Sequence, residues 1–295
     1  MKTETRLLIC DDWDDYALLD SGGGRKLERY GAVTVERPDP QAFWLPEVPA
    51  GSWRADAVFD SKANDDERGA WRLLNAASPD VWPMRWQGLT FNARRTPFRH
   101  LGVFPEHSVH WRFASEAIRA AGRPIKVLNL FGYTGLMSLA CAQAGADVVH
   151  LDASPKSNGY GKENQTLSGL EDRSVRWITD DATKFVAREL RRGNRYDGIV
   201  LDPPKFGRGP KNETWRFEDG LADLLDGVRD LLSDQPLFVI ATAYAVRLSY
   251  LALAQTLADR LSPFGGTLEA GEMAIAQSGS DRLLPTALYA RWRGQ

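Results

Sequence analysis

Cysteine, long apolar runs and net charge are all scarce in this 295-residue sequence. Its two cysteines, Cys10 and Cys141, lie far apart, and neither they nor the four histidines show a metal-type spacing. This argues against a disulfide framework and against a bound metal. No apolar run approaches the ~18 residues of a membrane-spanning helix, and no basic-then-apolar leader opens the chain. We therefore expect a cytoplasmic protein without membrane contact.

The formal net charge is −2, and charged residues make up 26% of the chain. This balance is typical of a globular protein and excludes a general polyanion binder. It leaves room for a local basic patch, which is what nucleic-acid binding requires. Three basic clusters occur, RRTPFRH (94–100), RELRR with Arg195 (188–195) and KFGRGPK (205–211).

The chain changes character near residue 100. Before it, short alternating runs such as AVTVE (32–36) and ADAVF (55–59) are separated by turn signals such as SGGGR (21–25). That pattern predicts a small β-rich region. After it, apolar runs alternate with longer helical stretches. We expect two domains, an accessory domain for substrate recognition over 1–100 and a larger domain over 101–295.

The alternation after residue 100 predicts an α/β fold with a mostly parallel sheet and helices on both faces. The predicted strands cover 125–130, 147–151, 175–178, 196–201 and 237–242. The predicted helices cover 106–121, the segment up to Gly145, the segment from Ser154-Pro155, 182–192 and 217–232. LEAGEMAI (268–275) and TALYARW (286–292) have no helix between them, which predicts an antiparallel hairpin at the sheet edge.

Glycines or acidic residues follow four successive predicted strands. In chain order these residues are Gly132 and Gly135, Asp152, the Asp180-Asp181 pair, and Asp202. Glycine lets a ligand approach the backbone at a strand-to-helix turn, although a tight structural turn needs glycine as well. Because the carboxyl ends of parallel strands share one crevice, the acidic residues are expected to meet there.

A nucleoside that lacks a pyrophosphate is the ligand this pattern favours. The glycine turn carries no G-x-G-x-x-G and no G-x-x-x-x-G-K-[ST], which disfavours a nicotinamide oxidoreductase. S-adenosylmethionine fits, because Asp152 can accept hydrogen bonds from the ribose hydroxyls and Asp181 from the adenine amine. Its methionine end would then face the glycine turn.

The runs LNLFGYTGLMSLACAQAGADVVHLDASPK, WITDDATKF and YDGIVLDPPKF resemble class I S-adenosylmethionine-dependent methyltransferases. The most similar branch comprises the bacterial large-subunit rRNA methyltransferases that modify cytosine at carbon 5 or guanine at a nitrogen. The resemblance covers roughly 101–295. It implies a Rossmann-like, seven-stranded methyltransferase sheet, mostly parallel with an antiparallel carboxyl-terminal hairpin, beside a smaller β-rich amino-terminal domain.

Site residues follow from the same resemblance. It implies cofactor contacts from Phe131, Gly132, Tyr133, Thr134, Gly135, Asp152, Ala153, Asp180, Asp181 and Asp202. Asp152 would hold the ribose. Asp181 would contact the adenine, with the adjacent Asp180 as the alternative. It also implies a catalytic loop made of Asp202, Pro203, Pro204, Lys205 and Phe206.

The loop from Asp202 to Phe206 suits an exocyclic amine as acceptor. A carboxylate and a fixed backbone carbonyl can each accept one amine hydrogen, which aims the nitrogen lone pair at the methyl group. Phe206 could stack on a base drawn into the site. Related loops often carry an aromatic residue at the position of Lys205. Lys205 could contact a phosphate or a carbonyl of the acceptor, or it could simply be a solvated cation. A stiff structural turn is the simpler reading of the two prolines.

Methylation at carbon 5 of cytosine needs a cysteine that attacks the ring. The branch that performs it carries this cysteine just after the fifth strand, where IATAYAVRLS (240–249) has Ala243. Cys141 lies in an apolar predicted helix and is interpreted as a core residue. The sequence therefore favours a nitrogen acceptor.

The leading hypothesis is a methyltransferase that acts on a nitrogen of an RNA base, within ribosomal RNA. KFGRGPK adjoins the predicted catalytic loop and is the best candidate for phosphate contacts. RELRR lies on a predicted helix and is interpreted as a solvated face. Two alternatives stay open, a small-molecule or protein acceptor and a catalytically silent RNA-binding module.

Overall fold

The structure is a computed structural model that describes residues 1–62 and 65–295, and these form two compact units. The first unit comprises Met1–Leu8, Val109–Met273 and Ala287–Gln295, and the second comprises Ile9–Ser108 and Ala274–Thr286. Each unit is therefore assembled from segments that are distant in sequence. A substrate-recognition role for 1–100 stays a prediction.

The described residues form strands and helices in an order close to the predicted one. The strands are β1 (Thr3–Thr5), β2 (Leu8–Cys10), β3 (Tyr16–Gly22), β4 (Arg25–Tyr30), β5 (Val33–Pro38), β6 (Ala57–Lys62), β7 (Asp65–Leu73), β8 (Val81–Trp86), β9 (Leu89–Arg94), β10 (Lys126–Leu130), β11 (Asp147–Asp152), β12 (Val175–Thr179), β13 (Gly198–Leu201), β14 (Phe206–Arg208), β15 (Thr214–Arg216), β16 (Phe238–Ala243), β17 (Thr267–Ala276) and β18 (Leu283–Arg293). The α-helices are α1 (Ser108–Ala120), α2 (Leu136–Gln143), α3 (Pro155–Leu167), α4 (Ala182–Arg191), α5 (Phe217–Leu231) and α6 (Tyr250–Leu261).

The largest sheet has the strand order β1-β17-β18-β16-β13-β10-β11-β12, and β2 also pairs with β17. Strands β10, β11, β12, β13 and β16 are parallel, whereas β18 runs antiparallel to β16. The predicted Rossmann-like α/β fold is confirmed. The seven predicted strands are present, and β1 and β2 extend the sheet to nine.

Local signals explain where the predicted helices begin. Ser154 caps α3 by accepting a hydrogen bond from the backbone N–H of Ser157, and Pro155 occupies the first turn, where it is tolerated. Asp181 caps α4 in the same way, with Lys184 as the donor. Sequence reasoning missed α6 and the short hairpin β14–β15.

The second unit contains the five-stranded sheet β3-β4-β5-β6-β7 and the two-stranded sheet β8-β9. The predicted strands AVTVE and ADAVF correspond to β5 and β6. A buried ion pair between Glu28 and Arg37 lies within this unit, and despite burial the arginine and Lys26 hold the pKa of Glu28 down at about 2.

No helix in the described part of the chain has both the length and the apolarity to span a bilayer.

Candidate active site

The register of the parallel strands brings the predicted site residues to one edge of the sheet. Leu130 of β10 lies opposite both Leu151 of β11 and Leu201 of β13. Asp152 and Asp202 each come one residue later, beside the turn that follows β10. The chain leaves β10 toward β11 on one side and returns to β13 on the other, and ligands of open α/β sheets bind at such a switch point.

The turn after β10 has an unusual backbone conformation. Phe131 and Tyr133 are left-handed, with φ of 57° and 52°, and Gly135 has a φ of 84°. Non-glycine residues in this region cost about 1–3 kcal/mol each, and such strain concentrates at functional sites. Phe131, Gly132 and Tyr133 are half-buried, whereas the next two residues of the predicted cofactor turn are buried.

Internal packing explains both glycines of the turn. A Cβ atom at Gly132 would collide with the imidazole of His150, and one at Gly135 with the indole of Trp177. The glycines are therefore needed so that two ring side chains can support the turn from below. This reason is independent of a ligand and was not visible in the sequence.

Asp152 fixes the turn through its carboxylate. Its Oδ2 accepts the backbone N–H of Tyr133 at 2.9 Å, and its Oδ1 accepts that of Ser154 at 2.8 Å. Burial raises the pKa of Asp152, although the two N–H donors oppose this shift. Each carboxylate oxygen can accept a further hydrogen bond, so this half-buried group suits ribose hydroxyls as donors. Ala153, which follows it, is also half-buried.

A buried polar network lies beneath the turn. Ser138 on α2 contacts the amide of Asn129 and Nδ1 of His150, each at 2.9 Å. Burial lowers the pKa of His150 to about 3, which keeps the ring neutral at physiological pH. From α3, Asn164 donates to the carbonyl of Thr134 at 3.1 Å. These polar groups hold the turn in place, and sequence reasoning did not identify them.

The two adjacent aspartates after β12 have different partners. The charge of Asp180 is paired with that of Arg188, at 2.5 Å, and its other oxygen accepts the backbone N–H of Asp181. Asp181 accepts the backbone N–H of Lys184 through Oδ1, as the cap of α4. This arrangement favours Asp181 over Asp180 as an acceptor for an adenine amine.

The loop after β13 is fixed at several points. Thr242 of β16, which sequence reasoning missed, donates its hydroxyl to Asp202. The carbonyl of Pro204 accepts the indole N–H of Trp215 at 2.7 Å, and the carbonyl of Lys205 accepts the N–H of Phe217 at 3.0 Å. Among the described residues, no hydrogen bond reaches the carbonyl of Pro203. Asp202 and Pro203 are consecutive in the chain, with Asp202 half-buried and Pro203 buried.

Trp215 connects the two halves of the site. Its side chain is buried, and its ring centroid lies 5.2 Å from that of Phe131 in the turn after β10. Its indole N–H holds Pro204 of the loop after β13. Gly220 leaves room for the ring, because a Cβ there would lie 2.7 Å from it. One side chain thus fixes the spacing between the turn and the loop.

We predict that Trp215→Phe lowers the rate of methyl transfer by about tenfold or more, because the loop loses its anchor and a small misplacement of reacting groups is costly. The unfolding free energy should fall by about 1–3 kcal/mol, the cost of a buried carbonyl without its donor. Steady-state kinetics and urea unfolding measure the two effects.

Trp292→Phe is the matched control, since Trp292 also donates its indole N–H to a backbone carbonyl, that of Gly265, at 2.9 Å. It should lose comparable stability and keep its turnover. Equal turnover losses in the two variants would reduce Trp215 to a general packing residue.

The two cysteines are unsuited to nucleophilic attack. Cys10 and Cys141 are buried, and burial raises the pKa of each thiol to about 12. Ala243, at the end of β16, is fully buried and carries no nucleophile. Neither thiol is therefore a favourable nucleophile.

This fold and the acidic edge of its sheet fit the class of enzymes that use a nucleoside cofactor, and comparison with known proteins gives the family. The family model for S-adenosylmethionine-dependent methyltransferases matches residues 33–234. The chain belongs to this family, and S-adenosylmethionine is its cofactor. The prediction of the enzyme class is confirmed.

A crystal structure of an S-adenosylmethionine-dependent methyltransferase from Agrobacterium tumefaciens is 45% identical, with a TM-score of 0.94 over 99% of this chain and 96% of that one. The ribosomal RNA large subunit methyltransferase K/L of Shewanella frigidimarina is 31% identical over 50% of this chain and 20% of its own length. Methyltransferase K of Neisseria meningitidis is 25% identical over 69% and 56%, respectively. The matched part of this chain thus spans from a fifth to just over half of the length of these two curated relatives.

Proposed function

We propose that this protein transfers a methyl group from S-adenosylmethionine to a nitrogen of a base in ribosomal RNA. The loop after β13 carries the proposal. Its Asp202 carboxylate is followed directly in the chain by the Pro203 carbonyl, to which no described residue donates a hydrogen bond, whereas the carbonyls of Pro204 and Lys205 already accept one each. Two adjacent acceptors match the two hydrogens of an exocyclic amine.

The residues at the sheet edge would hold the cofactor. Asp152 would accept the ribose hydroxyls, and Asp181 the adenine amine. The methionine part would lie against the half-buried residues of the turn, Phe131 to Tyr133. The carboxylates at this edge can accept hydrogen bonds from the hydroxyls and the amine of a nucleoside. When bound, the cofactor supplies an electrophilic methyl group on a sulfonium.

The protein's own contribution is to position the acceptor and to take up its charge. Asp202 and the Pro203 carbonyl would each accept one amine hydrogen, which directs the nitrogen lone pair toward the methyl carbon. The sulfonium of the bound cofactor would supply the methyl group and would leave as a neutral thioether, so the formation of the new nitrogen–carbon bond would need no further co-reactant. The nitrogen becomes positively charged, and Asp202 stabilises this charge and accepts the proton that leaves.

The choice of atom is supported by what the chain lacks. Carbon-5 methylation of cytosine needs a thiolate, and the only two thiols are buried with strongly raised pKa values. The choice of RNA is supported by the relatives, whose names describe large-subunit ribosomal RNA methyltransferases.

Methyl incorporation tests the proposal. Unmodified large-subunit ribosomal RNA, transcribed in vitro, is incubated with the protein and methyl-labelled S-adenosylmethionine, with small-subunit RNA as the control. Digestion to nucleosides and mass spectrometry should reveal label on a base nitrogen in the first RNA. Label at carbon 5 of cytidine would overturn the assignment of the atom. Label transferred only to small amines or to protein would overturn RNA as the acceptor.

A further inference from the structure

The three basic clusters of the sequence differ in how their charges are used. In RRTPFRH, Arg95 pairs with Asp80, and Arg99 and His100 both pair with Glu67. This cluster is therefore largely neutralised inside the second unit. Its paired cations offer little free charge to a polyanion.

The cluster on α4 is also partly neutralised, because Arg188 pairs with Asp180 and Arg192 with Glu189. The third cluster differs. Four cations lie on or beside the hairpin β14–β15, and none of them forms an ion pair with a described acidic side chain; they are Lys205, Arg208, Lys211 and Arg216. The acidic residue of the hairpin, Glu213, is engaged by Lys184 of α4 at 2.6 Å.

The register gives the hairpin two different faces. Phe206 lies opposite Arg216, and Arg208 lies opposite Thr214, and all four are exposed. Side chains alternate along a strand, so these four share one face. Gly207 and Trp215, which lie opposite each other between these two pairs, belong to the other face of the hairpin, and Trp215 is buried there.

The exposed face combines aromatic surface with charge. The Phe206 side chain is 54% exposed, and the guanidinium of Arg208 lies 5.7 Å from its ring centroid. Arg216 lies opposite Phe206 on the other strand. The acidic residues that follow the hairpin, Glu218 and Asp219, belong to the first turn of α5, where they complement the helix dipole.

We propose that this exposed face binds single-stranded RNA, with Phe206 stacked on a base and the flanking arginines on phosphates. The proposal rests on the proposed function and names the surface that delivers its substrate. Proteins that bind single-stranded nucleic acid commonly place aromatic side chains between cations. The aromatic rings stack on the bases, and the cations contact the negatively charged phosphates.

The buried face of the hairpin β14–β15 connects the proposed RNA-binding face to the active site. Trp215 belongs to the same hairpin and holds Pro204 of the catalytic loop. A strand bound on the exposed face therefore lies on the element that positions the loop. Among the described basic clusters, this is the one placed both to hold RNA and to position the acceptor groups.

Salt dependence of RNA binding tests the surface. A fluorescein-labelled 12-nucleotide oligouridylate is titrated with the protein, saturated with S-adenosylhomocysteine, at 50 to 200 mM salt. Each phosphate contact on a single strand contributes about 0.7 to the slope of log affinity against log salt concentration. Arg208→Gln combined with Arg216→Gln should lower this slope by about 1.4 and weaken binding about tenfold at the lowest salt. Phe206→Ala should weaken binding about five- to a hundredfold, while Phe206→Tyr keeps it.

The control is Arg119→Gln combined with Arg191→Gln, which removes the same charge from exposed helical positions on α1 and α4. It should leave the slope unchanged. Equal slope changes in both double variants would overturn the surface and indicate a net-charge effect. Because this assay measures binding alone, an unchanged slope in the hairpin variant overturns only the surface. Failure of the proposed function would show instead as the absence of labelled RNA.

Discussion

Replacement of Asp202 by alanine is expected to lower the rate of methyl transfer by about 10²- to 10⁴-fold, with little change in cofactor affinity. The carboxylate would accept an amine hydrogen and then a proton, so its loss removes interactions that strengthen as charge develops on nitrogen. Single-turnover kinetics give the rate, and titration with S-adenosylhomocysteine gives the affinity.

The isosteric variant separates geometry from charge. Asp202→Asn keeps an oxygen that can accept the hydroxyl of Thr242, so the side chain can retain its position. Asp202→Asn should recover part of the activity if the main role of Asp202 is to accept a hydrogen bond. It should recover little activity if the main role depends on the negative charge of Asp202. Asp223→Ala, at an exposed position on α5, is the control. Parallel losses of rate and affinity in Asp202→Ala would make Asp202 a structural residue.

Replacement of Asp152 by alanine is expected to weaken S-adenosylhomocysteine binding by roughly 10²-fold. Hydrogen bonds to a charged group are worth about 1.5–3 kcal/mol, and this variant removes the proposed ribose contacts as well as the anchor of Tyr133. Isothermal titration measures the change. Unchanged affinity would rule out the ribose assignment.

The pH dependence gives a second readout of Asp152. Only the ionised carboxylate can accept from both ribose hydroxyls while it holds two backbone N–H groups. Burial raises its pKa, so protonation and loss of affinity should begin at a higher pH than for an exposed aspartate. Wild-type affinity should therefore fall as the pH is lowered from 8 toward 4.5, and the alanine variant should lack this component. Identical profiles for the two proteins would contradict the assignment.

Local sequence patterns predicted much of the architecture. Runs of apolar residues marked the buried strands β10, β11, β13 and β16, and the Ser154-Pro155 dipeptide marked the start of α3. Such features are legible because they depend on neighbours a few residues apart. The ends of parallel strands meet at one edge, so the acidic residues of the site could also be placed together in advance.

What the sequence did not show depended on partners distant in the chain. Gly132 and Gly135 were interpreted either as a place for a ligand to approach the backbone or as a tight structural turn, and the close approach of His150 and Trp177 was not visible in the sequence. The sequence favoured KFGRGPK among the three basic clusters because it adjoins the predicted catalytic loop, and the fold adds which basic residues of the other two clusters form ion pairs. The short strands of that hairpin carry too little periodicity to be recognised.

The sequence by itself determined the class of fold, the order of the five parallel strands, and which residues follow their ends, because these depend on composition and short-range periodicity. Only the tertiary structure decided what holds those residues in place: the Thr242 hydroxyl on Asp202, the Trp215 indole between the turn and the loop, and the Arg188 partner of Asp180. The physical reason is that hydrogen bonds and packing between distant segments depend on sheet register. That register is set by the folded chain as a whole.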